Sequence, residues 1–201
     1  MDDELLFDEN SHIYRLGSEI IPNVTSILDA HGLISAFAKD ESAALRGSYV
    51  HKACYMLARR SLDWHSIDER ILGYVRAYEQ FLKDTDFSPS QLEARHFHKG
   101  YRYCGTLDAF GKSRSVPRLL FDIKTGVPAR YHALQSAAYA AFFAEGVVRA
   151  TLFLHEDGRY NLRFHKDRTD WNEFLSCLNV LRLPDSDAHR KYMNHIKEIE
   201  Q

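Results

Sequence analysis

Two aspartates and a lysine near the middle of the chain have the types and spacing that metal-dependent hydrolysis of a phosphodiester requires. Apolar residues alternate on both sides of a turn-rich segment at 111–117, which predicts a β-hairpin with its tip near Ser115. Asp108 and Asp122 lie seven residues on either side of that tip, so antiparallel pairing would place their side chains about 5 Å apart. Facing carboxylates repel unless a cation lies between them, and oxygen ligands favour Mg²⁺ or Mn²⁺.

Lys124 completes this pattern because side chains two residues apart on a strand share a face. Asp122 and Lys124 would lie about 6.6 Å apart along that face, and the ammonium could orient an attacking water or offset charge on a phosphate. The alternative is a hairpin held by an ordinary salt bridge, since an Asp-x-Lys triplet often arises by chance. The triplet alone does not decide between the two.

Two helical segments add further polar side chains. The alanine-rich run at 132–145 predicts a helix on which Gln135 and Tyr139 share one face. A second helix, predicted at 41–60, carries His51 beside an apolar stripe and Gly47 one turn earlier. A glycine inside a helix costs about 1 kcal/mol relative to alanine, which indicates that another backbone or a substrate passes close to Gly47. On its own, His51 is more often structural than a metal ligand.

The order Gly-x-x-x-His, Gly-x-x-Asp, Asp-x-Lys-Thr-Gly, Gln-x-x-x-Tyr resembles the RecB-like branch of the PD-(D/E)XK nucleases, which includes phage-type and mitochondrial genome-maintenance exonucleases. The resemblance runs from His51 to Tyr139, somewhat under half of the chain. Leu107 stands where the family name has proline, but the RecB-like branch commonly lacks that proline. The resemblance implies a restriction-endonuclease-like α/β domain that uses Mg²⁺ or Mn²⁺.

The resemblance also implies a role for each matching residue. The metal ligands would be His51, Asp108, Asp122 and the carbonyl of Ile123, and the catalytic lysine would be Lys124. The residues that contact DNA or support the site would be Gln135 and Tyr139, to which we add Thr125, Arg102 and Arg130.

Glu93 is a further candidate on the strand predicted at 91–98. A tight turn at Lys99-Gly100 would set Glu93 across from Thr106, on the same face as Asp108. The carboxylate could then hold a second metal, bind metal through water or pair with Lys124, and the sequence leaves ligand and supporting roles equally open.

The charge distribution favours DNA as the partner more than the net charge of −2 does. Residues 90–131 contain eight Lys and Arg against three acidic residues, whereas residues 1–50 contain three Lys and Arg against nine. Neutralising phosphates supplies most of the affinity of a nucleic-acid-binding protein, so a local basic surface is the relevant feature. A solvated basic surface without a partner is the alternative.

The remaining segments predict one α/β domain of residues 1–201, with a central mixed sheet, flanking helices and an N-terminal β-hairpin. We divide it into an N-terminal hairpin and helix at 1–40, a catalytic core at 41–165 and C-terminal helices at 166–201. Three distant cysteines and the lack of a bilayer-length apolar run predict a cytoplasmic protein without a membrane segment.

The leading functional hypothesis is a metal-dependent DNA exonuclease that acts in recombination, repair or phage DNA processing, as a monomer, a homo-oligomer or with a recombination partner protein. Two alternatives remain. One is an endonuclease of the same fold, which we disfavour because no separate recognition domain is visible. The other is a non-catalytic DNA-binding or inhibitor protein, against which the complete Asp, Asp and Lys set argues.

Overall fold

A computed structural model describes residues 4–8, 11–34 and 41–200. The strands are β1 (Leu5–Asp8), β2 (Ile13–Leu16), β3 (Glu19–Ile21), β4 (Ser88–His98), β5 (Tyr103–Lys112), β6 (Leu119–Lys124), β7 (Val148–Leu154) and β8 (Tyr160–His165). The α-helices are α1 (Val24–Ala30), α2 (Glu41–Ala58), α3 (Glu69–Thr85), α4 (Arg130–Ala140), α5 (Thr169–Leu181) and α6 (Asp187–Ile199). A short 3-10 helix, Trp64–Ser66, precedes α3.

The central sheet has five strands in the order β4-β5-β6-β7-β8. All neighbouring strands are antiparallel except β6 and β7, which are parallel and are connected through α4. Parallel neighbours need a long crossover, and the helix predicted from the alanine-rich run supplies it. The mixed α/β architecture expected from the sequence is therefore confirmed.

Helices cover both faces of this sheet. Consecutive strand residues point to opposite faces, so a strand that is apolar at successive positions needs packing partners on both faces. Phe121 packs with α2 and α3 in one core, around Val50 and Phe81. Its neighbour Leu120 packs with α1, α4 and α5 in the other core, around Phe174. The run Leu119–Ile123 is buried throughout, as expected of a strand covered on both faces.

The N-terminal segment forms a three-stranded antiparallel sheet, β1-β2-β3, rather than only the predicted hairpin. Gly17 adopts φ +61° in the turn between β2 and β3, so a second hairpin directly follows the first. Asn23 then caps α1 by accepting a hydrogen bond from the backbone N–H of Ser26 at 2.9 Å.

The predicted pairing of Glu93 with Thr106 is wrong. The turn between β4 and β5 contains four residues, 99–102, so Arg95 pairs with Thr106, and Leu92 pairs with Ala109. This register places Glu93 across from Asp108. Arg102 takes up φ +43° in the turn, a left-handed conformation that the sequence pattern did not reveal.

Within the described part of the chain, no helix combines the length and apolar character that a bilayer crossing needs.

Candidate metal centre

The candidate site lies at the point where β5 and β6 separate, which we call the fork. Their backbone pairing runs from Gly111 with Leu119 to Ala109 with Phe121 and ends there, which is the register expected of a hairpin with its tip near Ser115. Asp108 and Asp122 are the next residues on the two strands. The N–H of Ile123 donates a hydrogen bond to Asp108 Oδ2 at 2.6 Å. The carboxylate thus accepts the bond that a backbone carbonyl of β5 would accept if the two strands stayed paired.

His51 reaches this fork from α2, which is anchored in the core by the buried residues Val50 and Cys54. Its Nδ1 lies 3.4 Å from Asp108 Oδ1, and its side chain is 29% exposed. Burial acts to lower the pKa of His51, but the charge of Asp108 outweighs it and raises the pKa to about 9. Burial likewise opposes ionisation of Asp108, yet His51 and Lys124 hold the pKa of that aspartate below its ordinary value.

Glu93 adds a carboxylate from an irregular point of β4. It has φ +47° in the middle of the strand, and its neighbours Leu92 and Ala94 pack into different cores although regular strand geometry would give them one face. Backbone strain of this kind costs about 1–3 kcal/mol and is commonest at functional sites. Glu93 contributes a ligand atom to a group with His51 and Asp108, all within 4.8 Å of one another.

The pKa of Glu93 is raised to about 7, first by partial removal of its carboxyl from water and then by the charge of Asp108. His51 opposes this rise. Burial and the neighbouring carboxylate therefore both oppose ionisation of Glu93, and a bound cation would favour its ionised form.

Asp122 and Lys124 form an ion pair beside this group, with Asp122 Oδ2 2.6 Å from Lys124 Nζ. Their side chains are 6% and 23% exposed. Burial raises the pKa of Asp122, Lys124 opposes the rise and Asp108 adds to it. Burial acts to lower the pKa of Lys124, but the two aspartates raise it, so the ammonium stays charged at neutral pH.

Gln135 and Tyr139 share a buried face of α4, and Gln135 Nε2 donates to the Tyr139 hydroxyl at 3.1 Å. Burial and then the charge of Asp122 raise the pKa of Tyr139, so the ring lies close to the aspartates. Gly105 makes this approach possible, because a Cβ there would lie 2.8 Å from Tyr139 Cε1. Sequence reasoning did not assign this role to Gly105, although a glycine inside a strand pattern signals close approach.

Gly47 of α2 lies beside Thr125, which directly follows Lys124 and is half-buried there. A Cβ at Gly47 would lie 3.9 Å from Thr125 Oγ1, which is an ordinary van der Waals contact. Among the described residues, no backbone comes close enough to require a glycine at 47, and the approach of a substrate to this position stays a prediction.

Arg102 and Arg130 bind acidic side chains away from the fork. Arg102 lies in the β4–β5 turn and pairs with Glu19, about 20 Å along the strand from Asp108 at the usual rise per residue. Arg130 pairs with buried Asp170 and with Glu173 at 2.5 and 2.7 Å. Their assignment to DNA stays a prediction, and their charges are partly offset by these acids.

The donor set at the fork fits a hard divalent cation. Carboxylates from Glu93 and Asp108 lie there with the imidazole of His51, whereas Asp122 is paired with Lys124 beside this group. Asp122 and the carbonyl of Ile123 are further predicted ligands. Oxygen-rich sites suit Mg²⁺ and Mn²⁺, and an imidazole shifts the preference towards Mn²⁺. The Tyr14 hydroxyl lies 2.6 Å from Oγ1 of Thr106, two residues before Asp108 on β5, a contact that sequence reasoning did not anticipate.

Comparison with solved structures finds a related fold. A crystal structure of an Eubacterium rectale protein, described as a "putative exonuclease", superposes with a TM-score of 0.56 over 87% of this chain and 82% of its own, at 10% sequence identity. The similarity shows that the two proteins share a fold. No protein-family model matches the chain, and no curated protein matches it.

Proposed function

We propose that this protein is a divalent-metal-dependent DNA exonuclease. The observation that carries the proposal is the convergence of His51, Glu93 and Asp108 within 4.8 Å, beside the Asp122–Lys124 pair. The motif order found in the sequence and the name of the Eubacterium rectale protein favour the same activity.

The protein groups have separate roles in this proposal. His51, Glu93, Asp108 and Asp122 would hold Mg²⁺ or Mn²⁺, which supplies Lewis acidity and an acidic bound water when present. Lys124 would offset charge on the phosphate in the transition state or orient the attacking water. Gln135 and Tyr139 would hold the aspartates in place through their packing against β5 and β6.

The strain at Glu93 supports a role in the site rather than in packing. A solvent-accessible glutamate has no packing reason to hold φ +47°, whereas a carboxylate aimed at Asp108 and His51 does. His51 is a cationic neighbour of Glu93 and opposes the rise in its pKa, but the residue opposite Glu93 on β5 is Asp108, so a second carboxylate lies beside that pair.

The activity test compares linear and covalently closed DNA, each single- and double-stranded, at matched salt with Mg²⁺, Mn²⁺ or EDTA. We expect metal-dependent shortening of linear DNA from its ends and resistance of closed circles. Equal rates on circles and lines would replace the exonuclease with the endonuclease alternative. Binding without cleavage under every metal condition would support the non-catalytic alternative.

A further inference from the structure

Lys124 lies on the face of the central sheet that α4 covers. Leu120, Asp122 and Lys124 alternate along β6, so their side chains point to the same side. Leu120 packs in the core formed by α1, α4 and α5, which identifies that side. The Lys124 side chain keeps 23% of its surface exposed, so its ammonium stays accessible at this end of the strand.

Ring contacts place the first turn of α4 over the end of β6. Phe153 is the register partner of Lys124 on β7, and its ring centroid lies 5.5 Å from that of His132 in α4. The ring of Tyr131 lies 4.2 Å from the His132 ring in an edge-to-face arrangement. Paired residues on adjacent strands point to the same face about 5 Å apart, so Tyr131 lies close to Lys124.

Tyr131 also extends the polar side of α4 that faces the metal centre. Tyr131, Gln135 and Tyr139 are four residues apart, which puts them on one side of the helix. Gln135 Oε1 is buried and has no hydrogen-bond partner among the described residues. The hydroxyl of half-buried Tyr131 has none in that part of the chain either. A buried polar group without a protein partner requires an explanation such as a catalytic role, a water or an ion.

The charges around the Tyr131 hydroxyl agree with a place beside the Asp122–Lys124 pair. Burial raises the pKa of Tyr131, Lys124 acts to lower it, and Asp122 adds to the rise. The raised pKa keeps the phenol protonated at neutral pH, so its O–H can donate a hydrogen bond to an anion. A phenolate at the same position would repel a phosphate instead.

We propose that Tyr131 is a substrate-binding residue whose hydroxyl donates a hydrogen bond to a non-bridging oxygen of the scissile phosphate, next to the ammonium of Lys124. Lys124 supplies positive charge, whereas the neutral hydroxyl supplies a directed hydrogen bond that fixes the orientation of the phosphate. This inference rests on the proposed function for the identity of the substrate, but it concerns phosphate binding, which is measurable without cleavage.

Packing of the ring alone is the alternative role for Tyr131. The ring packs against the core formed by α1, α4 and α5, and phenylalanine would fill that place equally well. The two roles therefore differ only in the hydroxyl, which Tyr131→Phe removes without changing the ring.

The experiment measures binding of thymidine monophosphate by isothermal calorimetry in the presence of Mn²⁺. This ligand contains no phosphodiester, so binding is observed without cleavage, and unphosphorylated thymidine is the ligand control. The test variant is Tyr131→Phe, and the matched control variant is Tyr192→Phe in α6. Tyr192 is also half-buried and packs against the same core, and its hydroxyl likewise has no hydrogen-bond partner within the described ranges.

We expect Tyr131→Phe to bind thymidine monophosphate about tenfold more weakly than Tyr192→Phe does, which is the usual effect of losing a hydrogen bond to a charged group. Binding of Mn²⁺ alone, and the rise in Tm that Mn²⁺ produces, should be equal in the two variants. Equal affinity of the two variants for thymidine monophosphate would overturn the proposal. A lack of binding by the unmodified protein would overturn it as well.

Cleavage of linear DNA by the unmodified protein tests the proposed function separately. If that protein cleaves no DNA with Mg²⁺ or Mn²⁺, and Tyr131→Phe still loses affinity for thymidine monophosphate, the nuclease proposal fails and the phosphate-binding role of Tyr131 stands. If cleavage occurs and the two variants bind the mononucleotide alike, the nuclease proposal stands and the role of Tyr131 fails.

Discussion

The backbone N–H of Ile123 donates a 2.6 Å hydrogen bond to the carboxylate of Asp108, across the point where β5 and β6 part. This bond ties one proposed metal ligand to the strand that carries Asp122 and Lys124. It also satisfies a backbone donor that the ended ladder would leave unpaired. The two aspartates therefore have different local environments although they occupy equivalent positions on the hairpin.

Neutralising either aspartate should destabilise the metal-free protein, for a different reason at each position. The pKa of Asp108 is lowered by His51 against the effect of burial, so folding favours its ionised form, and Asp108→Asn should cost about 1–3 kcal/mol. Burial raises the pKa of Asp122, but Asp122→Asn leaves the ammonium of Lys124 without its partner at 2.6 Å, and breaking a buried pair costs about 3–5 kcal/mol. Thermal unfolding in EDTA measures both, with exposed Asp185→Asn as the control. A higher Tm for either variant would contradict the assigned environments.

Lys124→Ala should separate catalysis from metal binding. Lys124 Nζ pairs with Asp122, and we propose that it acts on the phosphate, so we expect the cleavage rate to fall by about 10²–10³. The rise in Tm that Mn²⁺ produces should persist, because the other ligands remain. Exposed Lys112→Ala should retain full activity. Near-normal cleavage by the Lys124 variant would remove it from the mechanism.

His51→Ala should weaken Mn²⁺ binding by at least about tenfold, with a smaller effect on Mg²⁺, because imidazole is the softer ligand. Isothermal calorimetry with each metal measures the change. The control is His65→Ala, which alters an exposed histidine of the 3-10 helix. An unchanged Mn²⁺ affinity would make His51 a structural partner of Asp108.

Gly105→Ala should destabilise the protein although alanine usually stabilises an extended backbone by reducing the entropy of the unfolded chain. The new Cβ would lie 2.8 Å from Tyr139 Cε1 and 3.4 Å from Val24 Cγ2. Overpacking of this kind costs about 1–3 kcal/mol, which exceeds the entropic gain of about 0.4–1 kcal/mol. Urea unfolding should show the loss, and adding Tyr139→Leu should recover part of it.

The control for Gly105→Ala is Gly126→Ala, since a Cβ at Gly126 would have no heavy atom within 4 Å. The Gly126 variant should be more stable than the unmodified protein by about 0.4–1 kcal/mol, because no overpacking offsets the entropic gain. A Gly105 variant as stable as the Gly126 variant would show that Tyr139 is not held against β5.

The free energy of unfolding should fall at acidic pH, and His132 should account for part of that fall. Its pKa of about 3 lies below the ordinary value near 6.5, so its neutral form stabilises the fold fully above about pH 6.5, and that contribution is lost as the pH falls towards the folded pKa. The neutral ring is needed because Nδ1 accepts from the N–H of Ala129 at 3.2 Å. His132→Asn keeps an acceptor without a titrating group.

Urea unfolding in EDTA between about pH 7 and 4 measures this dependence. The His132→Asn variant should lose less stability across the range than the unmodified protein. Exposed His195→Asn should leave the dependence unchanged. A His132 variant with the same acid sensitivity as the unmodified protein would contradict the prediction.

The sequence determined the local parts of this protein. Alternating apolar residues and a turn-rich segment located the central hairpin, and counting outward from Ser115 predicted the register that aligns Asp108 with Asp122. Helical periodicity placed His51 on one helix, and Gln135 and Tyr139 on another. These features depend on backbone geometry within a few residues, so composition and spacing are sufficient to predict them.

Only the tertiary structure decided how these parts meet. The four-residue turn before β5 shifted Glu93 to face Asp108, and its left-handed backbone became visible only in the folded strand. Contacts between distant segments brought His51 to Asp108, and paired Arg130 with an acid forty residues away. Such contacts depend on how helices and strands pack against one another, and the energy of that packing is not contained in any local pattern.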